Sequence, residues 1–304
     1  MEVALNVADL PDRRIETAEL SVNFLRAGQG PPLVLLHGWP EFCRVWKKNI
    51  PALAQRFDVI APDLRGFGQT VRRDGKPVEL TTGDILAADL AQFLDALKID
   101  RVGIVSHDVG AFAAQAFARA HPGRAAALFF FDCPYPGIGS RWGEAGHLKE
   151  TWYQYFHQWP LAEQIVAKDR AACRMYIGHF LRHWAADPHV FDQDLEAWVD
   201  NFLRPGNIAG GFAWYRGTLP MRQKLIREGA PRMDPIPCPT YVLWGERDPI
   251  LRAEWCDRMG EYFSNIQVAT QPDAGHFVHY ETPEAANKAV VAFMGKLASG
   301  DGWR

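Results

Sequence analysis

Cysteine is scarce in this chain and scattered where it occurs. Cys43, Cys133, Cys173, Cys238 and Cys256 are the only five in 304 residues, an odd number with no CxxC spacing. They give no basis for a disulfide framework or a thiolate metal site, and reduced thiols in a cytoplasmic protein are the expectation. No apolar run approaches the roughly 20 residues of a membrane span. The segment Met1–Asn6 also lacks the basic flank and long apolar core of a secretory signal. Charge of one sign is lacking too: the formal net charge is -3 and no basic cluster occurs, so neither nucleic acid nor an anionic membrane is expected as a partner. Repeats and low-complexity tracts are missing as well. What remains is 48% hydrophobic and 23% charged, the composition of a globular protein with a substantial core. The length suits one core domain carrying an insertion.

The apolar runs that are present alternate with helical spacings. Residues 31–36, 57–61, 101–105, 127–132, 239–245 and 266–269 read as strands, 31–36 and 101–105 as buried ones, and 16–27 as early antiparallel strands. Between them, Thr82 to Leu97 repeats apolar residues at helical spacing behind an Asp/Thr cap, and the Ala-rich run 112–120 also reads as a helix. Strands alternating with helices imply an α/β fold with a mostly parallel sheet. The alternation lapses between about Pro134 and Met233, where aromatic residues are dense. That lapse divides the chain into a first core part (1–134), an inserted helical cap (135–233) and a second core part (234–304). Within the cap, Asp187-Pro188 is expected to start a helix with Phe191, Leu195, Trp198 and Phe202 on one face. A cap with its own small core, lining an apolar pocket against the sheet, is the expected arrangement.

Chemistry-bearing residues gather where strands should end. Val105-Ser106-His107-Asp108-Val109-Gly110 is a strand-to-helix turn of the form small-x-Asp-x-Gly. It is the nucleophile-elbow pattern with Asp108 in place of serine, and the small flanks allow the tight turn. Asp248, in Gly245-Glu246-Arg247-Asp248, and His276, in Gly275-His276-Phe277, follow in the order nucleophile, acid, histidine. The acid and the histidine are separated by 28 residues, enough for one helix and one strand, so both belong on loops beyond carboxyl strand ends. His37-Gly38-Trp39-Pro40 follows an earlier strand on the same edge, and the N–H groups of Trp39 and Val109 are expected to form an oxyanion hole. Asp132 ends the strand after the nucleophile and is an alternative third member of the triad. Among the other histidines, His37 is expected to fix its turn, His107 to pack, and His279 to lie at the surface or a helix start. His179 and His183 lie four apart on a cap helix, too few for zinc. Tyr155 and Tyr176 are expected to pack within the cap.

In this order the motifs resemble the α/β-hydrolase-fold epoxide hydrolases, in particular bacterial epichlorohydrin-type enzymes, over essentially the whole chain. The resemblance rests on His37-Gly38-Trp39-Pro40, Asp63-Leu64-Arg65-Gly66-Phe67-Gly68, the elbow at 106–110, Gly245 to Asp248 and Gly275-His276-Phe277. It extends to the cap segments 151–158 and 212–216, and implies that Tyr153 and Tyr215 open the ring. The implied activity is hydrolysis of a small apolar epoxide to a vicinal diol through an alkyl ester of Asp108, a detoxifying type of reaction. No cofactor and no metal enter it, water is the second substrate, and a homodimer remains open. A haloalkane or haloacetate dehalogenase uses the same Asp-His chemistry. Fluoroacetate enzymes, however, carry arginines one and four residues past the nucleophile, where this chain has Val109 and Phe112. A non-catalytic binding protein on the same fold typically loses a triad member, and this chain keeps all three.

Overall fold

The apolar runs become the central strands of a nine-stranded sheet, with more polar strands at its edges, in a computed structural model that describes residues 7–298. The strands are β1 (Arg13–Glu16), β2 (Leu20–Ala27), β3 (Pro32–Leu36), β4 (Asp58–Pro62), β5 (Val71–Arg72), β6 (Val102–His107), β7 (Ala125–Phe131), β8 (Thr240–Gly245) and β9 (Ile266–Gln271). Their spatial order is β1-β2-β4-β3-β6-β7-β8-β9, with β5 paired to β2. From β4 through β3 to β9 every pairing is parallel, and β1 and β2 add an antiparallel edge. The mostly parallel sheet expected from the alternation is what forms. β6 and β7 are buried along their full length, which requires cover on both faces. Of the core helices α1 (Ile50–Leu53), α2 (Gly83–Ala96) and α3 (Val109–Ala120), α2 packs on α3; α1 packs on the C-terminal α10 (Pro283–Ala298). Thr82 caps α2, its hydroxyl accepting from the Ile85 N–H at 3.3 Å. Among the described residues no helix is long and apolar enough to cross a membrane.

Between β7 and β8 the chain leaves the sheet for α4 (Leu148–Phe156), α5 (Pro160–Val166), α6 (Arg170–His183), α7 (Leu195–Phe202) and α8 (Asn207–Glu228); the one-turn α9 (Val278–Glu281) precedes α10. One expectation fails here. Asp187-Pro188 starts no helix: residues 185–194 run as bends and turns, and α7 begins only at Leu195. The Asp187 carboxylate accepts the His189 N–H at 2.9 Å, a local bond that competes with helix formation. Asp194 is drawn instead to Lys47 and Tyr280. The apolar face still forms a core, with Phe191 stacked on Tyr280 at 4.2 Å and Trp198 edge-on to Phe42 at 5.0 Å.

The helix α8 meets the core backbone to backbone. A Cβ at Gly210 would lie 2.4 Å from the Gly66 carbonyl oxygen, and one at Gly217 only 2.0 Å from that of Thr81. The Thr81 N–H donates to the Ala213 carbonyl at 3.0 Å across the same seam. Glycine is required at both positions because no side chain fits between the two chains.

Candidate active site

β6 hands the chain to α3 through a single strained residue. Asp108 has φ 45° and ψ -110°, a conformation L side chains rarely adopt. The turn is tight enough that a Cβ at Gly110 would lie 2.4 Å from the Leu36 carbonyl oxygen. Gly38 is needed for the same reason, since a Cβ there would lie 2.7 Å from the Asp108 Cβ. The Trp39 N–H donates to Asp108 Oδ1 at 3.1 Å. Val109 is buried and opens α3, where the first amides have no intrahelical acceptor.

The loops after β8 and β9 bring Asp248 and His276 together. His276 Nδ1 donates to Asp248 Oδ2 at 2.7 Å, and Asp248 Oδ1 accepts the N–H groups of Ile250 and Leu251 at 2.8 and 3.0 Å. His276 Nε2 is buried and has no partner among the described residues. Burial works against the imidazolium, but the charge and hydrogen bond of Asp248 outweigh it, with Asp108 and Glu41 adding, and the pKa is raised above 6.5. Asp132 makes no bond to the histidine. Its Oδ1 accepts the Gly245 N–H at 2.8 Å, and burial, followed by the nearby Asp248 charge, pushes its carboxyl well above the ordinary range. Of the two carboxylates left open by the sequence, the imidazole turns to Asp248.

The insertion brings two phenols over this edge. Tyr153 from α4 and Tyr215 from α8 are both buried, with ring centroids 5.1 Å apart and planes at 85°. Tyr153 stacks on the Trp39 ring at 5.4 Å, and Gln154 Nε2 donates to its hydroxyl at 3.2 Å. Burial, reinforced for both by the Asp108 charge, raises the two phenols above the usual tyrosine value. They therefore stay protonated and able to donate. Trp39, Phe180 and Trp184 wall the space with further rings.

Beneath the site lies a network that the sequence reading missed. His107 is more than a packing residue: its Nδ1 meets Glu41 Oε2 at 2.9 Å, and its Nε2 donates to the His276 carbonyl at 2.8 Å. Glu41 also accepts the Gly38 N–H at 2.6 Å. Burial opposes its ionisation, but the neighbouring His107 and His279 hold its carboxyl well below the usual range. His279 begins a helix but is fully buried, not at the surface, and burial lowers its pKa to about 4. The loop bearing His276 is pinned from three sides: its N–H donates to the Trp184 carbonyl at 2.8 Å, and Glu281 accepts the N–H groups of Gly275 and Phe277, each at 3.0 Å. His37 holds its own turn, with Nδ1 donating to the Gly38 carbonyl at 2.9 Å, and ties it to the loop after β4, with Nε2 accepting the Leu64 N–H at 3.0 Å. Tyr155 is exposed rather than packed, Tyr176 is hydrogen-bonded to His157 at 2.7 Å, and His183 pairs with Glu150 at 2.7 Å. Glu41, three residues past Gly38 in the loop after β3, carries no sequence signal that sets it apart.

Comparison with known proteins follows the same lines. The profile of a family described as the alpha/beta hydrolase fold matches residues 31–283. The soluble epoxide hydrolase of Corynebacterium sp. (strain C12) is 30% identical over 288 residues, covering 91% of this chain and 94% of that protein. The solved structure of epoxide hydrolase CorEH without ligand is 27% identical with a TM-score of 0.80, covering 95% of this chain and 100% of that one. A fluoroacetate dehalogenase of Burkholderia sp is 25% identical over 297 residues, covering 95% of each chain.

Proposed function

The chain belongs to the alpha/beta hydrolase fold family, and from that premise we propose that this hydrolase converts small, mainly apolar epoxides and water to vicinal diols. Residues 135–233 act as a cap over a core made of 1–134 and 234–304. The observation that carries the reading is the pair of buried phenols, Tyr153 and Tyr215, that meet each other and Trp39, whose N–H reaches Asp108. An epoxide oxygen leaves as an alkoxide, a poor leaving group, so a donor that meets it with a proton speeds the opening. A halide leaves as a stable anion and needs no acid.

In the first step an Asp108 oxygen attacks a ring carbon, the carbon–oxygen bond breaks, and the freed oxygen takes a proton from one tyrosine. The product is an alkyl ester of Asp108. His276 then takes a proton from water through its free Nε2, and the hydroxide adds to the ester carbonyl carbon. The N–H groups of Trp39 and Val109 hold the oxyanion, and Trp39 already reaches Asp108 Oδ1. Collapse releases the diol oxygen, which is protonated by the imidazolium. The proton left on the regenerated Asp108 carboxyl replaces the one the tyrosine gave. Asp248 keeps Nδ1 protonated and the ring aimed throughout.

A hydrolysis panel of styrene oxide, epichlorohydrin, a haloalkane and fluoroacetate, run with the native chain and with Tyr153→Phe, Tyr215→Phe and the double variant, tests this reading. Each single change should slow ester formation yet leave activity. The double change should remove roughly 10²–10⁴-fold, the worth of general acid assistance. Turnover of the halides with no epoxide activity would make the chain a dehalogenase. Undiminished epoxide opening in the double variant would take the tyrosines out of the mechanism.

A further inference from the structure

Arg222 is a buried cation that the chemistry above does not use. It lies on α8 two turns beyond Tyr215, a seven-residue step that returns to the same face of the helix. It is 6% exposed, and its guanidinium stacks over the Trp142 ring at 3.7 Å. Among the described residues no carboxylate pairs with it, and its buried Nη1 has no hydrogen-bond acceptor. On that face α8 meets α4, which carries Tyr153 and is preceded by His147, so Arg222 lies on the side of α8 that bears the phenols.

Other buried polar atoms around it are equally unpartnered. His147 is fully buried against Trp255 at 4.6 Å and Trp142 at 6.0 Å, and neither ring nitrogen has a partner. Burial, then the charges of Arg252 and Arg222, holds its pKa down at about 4, so the ring is neutral and keeps one donor and one acceptor free. Gln154 Oε1, next to Tyr153, is a third. Buried polar groups are almost always paired, and a buried guanidinium without a counter-charge is costly. Arg222 Nη1 and the two His147 nitrogens, unpartnered and brought together by the Trp142 ring, describe a place prepared for a ligand atom.

We propose that Arg222, with His147 beside it, is a subsite for a carboxylate borne by the substrate, so that the epoxides accepted include short epoxy acids. The planar guanidinium presents a donor fork that matches a carboxylate, and stacking on Trp142 fixes that fork in place. Its positive charge also offsets the repulsion that an anionic substrate would meet from Asp108. The subsite is separate from the elbow-helix positions Val109 and Phe112, which carry no charge. The inference deepens the epoxide reading and rests on it.

Two measurements test it. The first compares kcat/KM for oxirane-2-carboxylate and 4,5-epoxypentanoate with that for the matched neutral amides, in the native chain and in Arg222→Gln and Arg222→Lys. The acid-to-amide preference should fall about ten- to hundredfold in Arg222→Gln, mainly through KM, and partly return in Arg222→Lys. An equal loss on acid and amide would mean that Arg222 acts on the phenols or the packing, and would overturn the subsite. The second measures binding of cyclopropanecarboxylate, an unreactive oxirane mimic, by calorimetry with the native chain and both variants. Binding that weakens in Arg222→Gln supports the subsite even if no epoxide is turned over, in which case turnover of fluoroacetate or 2-chloropropanoate would show that the epoxide reading, not the subsite, had failed. No binding to the native chain, or equal binding to Arg222→Gln, overturns it.

Discussion

Two carboxylate–histidine pairs lie one behind the other in this molecule, Asp248 with His276 and Glu41 with His107. Each joins a carboxylate oxygen to Nδ1, at 2.7 and 2.9 Å, and all four side chains are buried. The two imidazoles are themselves neighbours, with centroids 4.5 Å apart. They differ at the other nitrogen. His107 Nε2 is tied to the carbonyl of His276, whereas His276 Nε2 is free. A pair whose imidazole has both nitrogens engaged is a brace; the same pair with one nitrogen left over can move a proton. The inner pair thus holds the backbone of the histidine in the outer pair, and under the proposed mechanism that is how Glu41 and His107 bear on the chemistry.

Removing the free nitrogen should have the largest effect. His276→Gln is expected to lose on the order of 10⁶-fold in overall turnover. Because the first step needs only Asp108 and the phenols, mass spectrometry of the variant after epoxide treatment should show the chain plus one substrate. Next comes the partner. Asp248→Asn should cost about 10⁴-fold in kcat, and Asp132→Asn far less, since only Asp248 touches the imidazole. The reverse order would reassign the acid.

The pH profile sharpens the contrast further. His276 must be neutral to accept a proton, so hydrolysis of the ester should rise with pH along a limb displaced above the ordinary histidine value of 6.5. Asp248→Asn should move that limb down. For stability the sign runs the other way: a histidine whose folded pKa is raised stabilises the fold below its unfolded pKa, and that stabilisation is lost as pH rises through the folded value. The smallest catalytic effect belongs to the inner pair. Glu41→Gln should destabilise by about 3–5 kcal/mol in urea unfolding, as breaking a buried pair does, while kcat falls much less than in Asp248→Asn. Loss of activity without loss of stability would move Glu41 into the mechanism.

The sheet and the outer pair were legible because their signals are local. An apolar run followed at once by Asp108, or by Gly245 to Asp248, carries the strand and its cargo in one stretch. Tyr153 and Tyr215 came only through family resemblance, since a tyrosine on an aromatic-rich helix reads as packing until its direction is known. Glu41, His279 and Arg222 were illegible for a related reason. Each is a polar residue in an otherwise apolar setting, and sequence spacing does not say whether such a residue turns outward to water or inward to a partner more than fifty residues away. The start of α7 was misread because Asp187 and Pro188 are favourable at a helix start but equally favourable in a turn, and the Asp187–His189 bond decided for the turn.

The glycine seam under α8 acts as a gauge. Backbone against backbone is the thinnest spacer a polypeptide can make, and it does not compress. Gly210 lies five residues before Tyr215 and Gly217 two after, so the phenol hangs from a rail held at fixed height on both sides. A single methyl at Gly210 would have to lift that rail, and the phenol would move with it although nothing in the pocket wall had changed. The position of Tyr215 beside Trp39 is therefore written partly in Gly210 and Gly217, whose own neighbours are backbone.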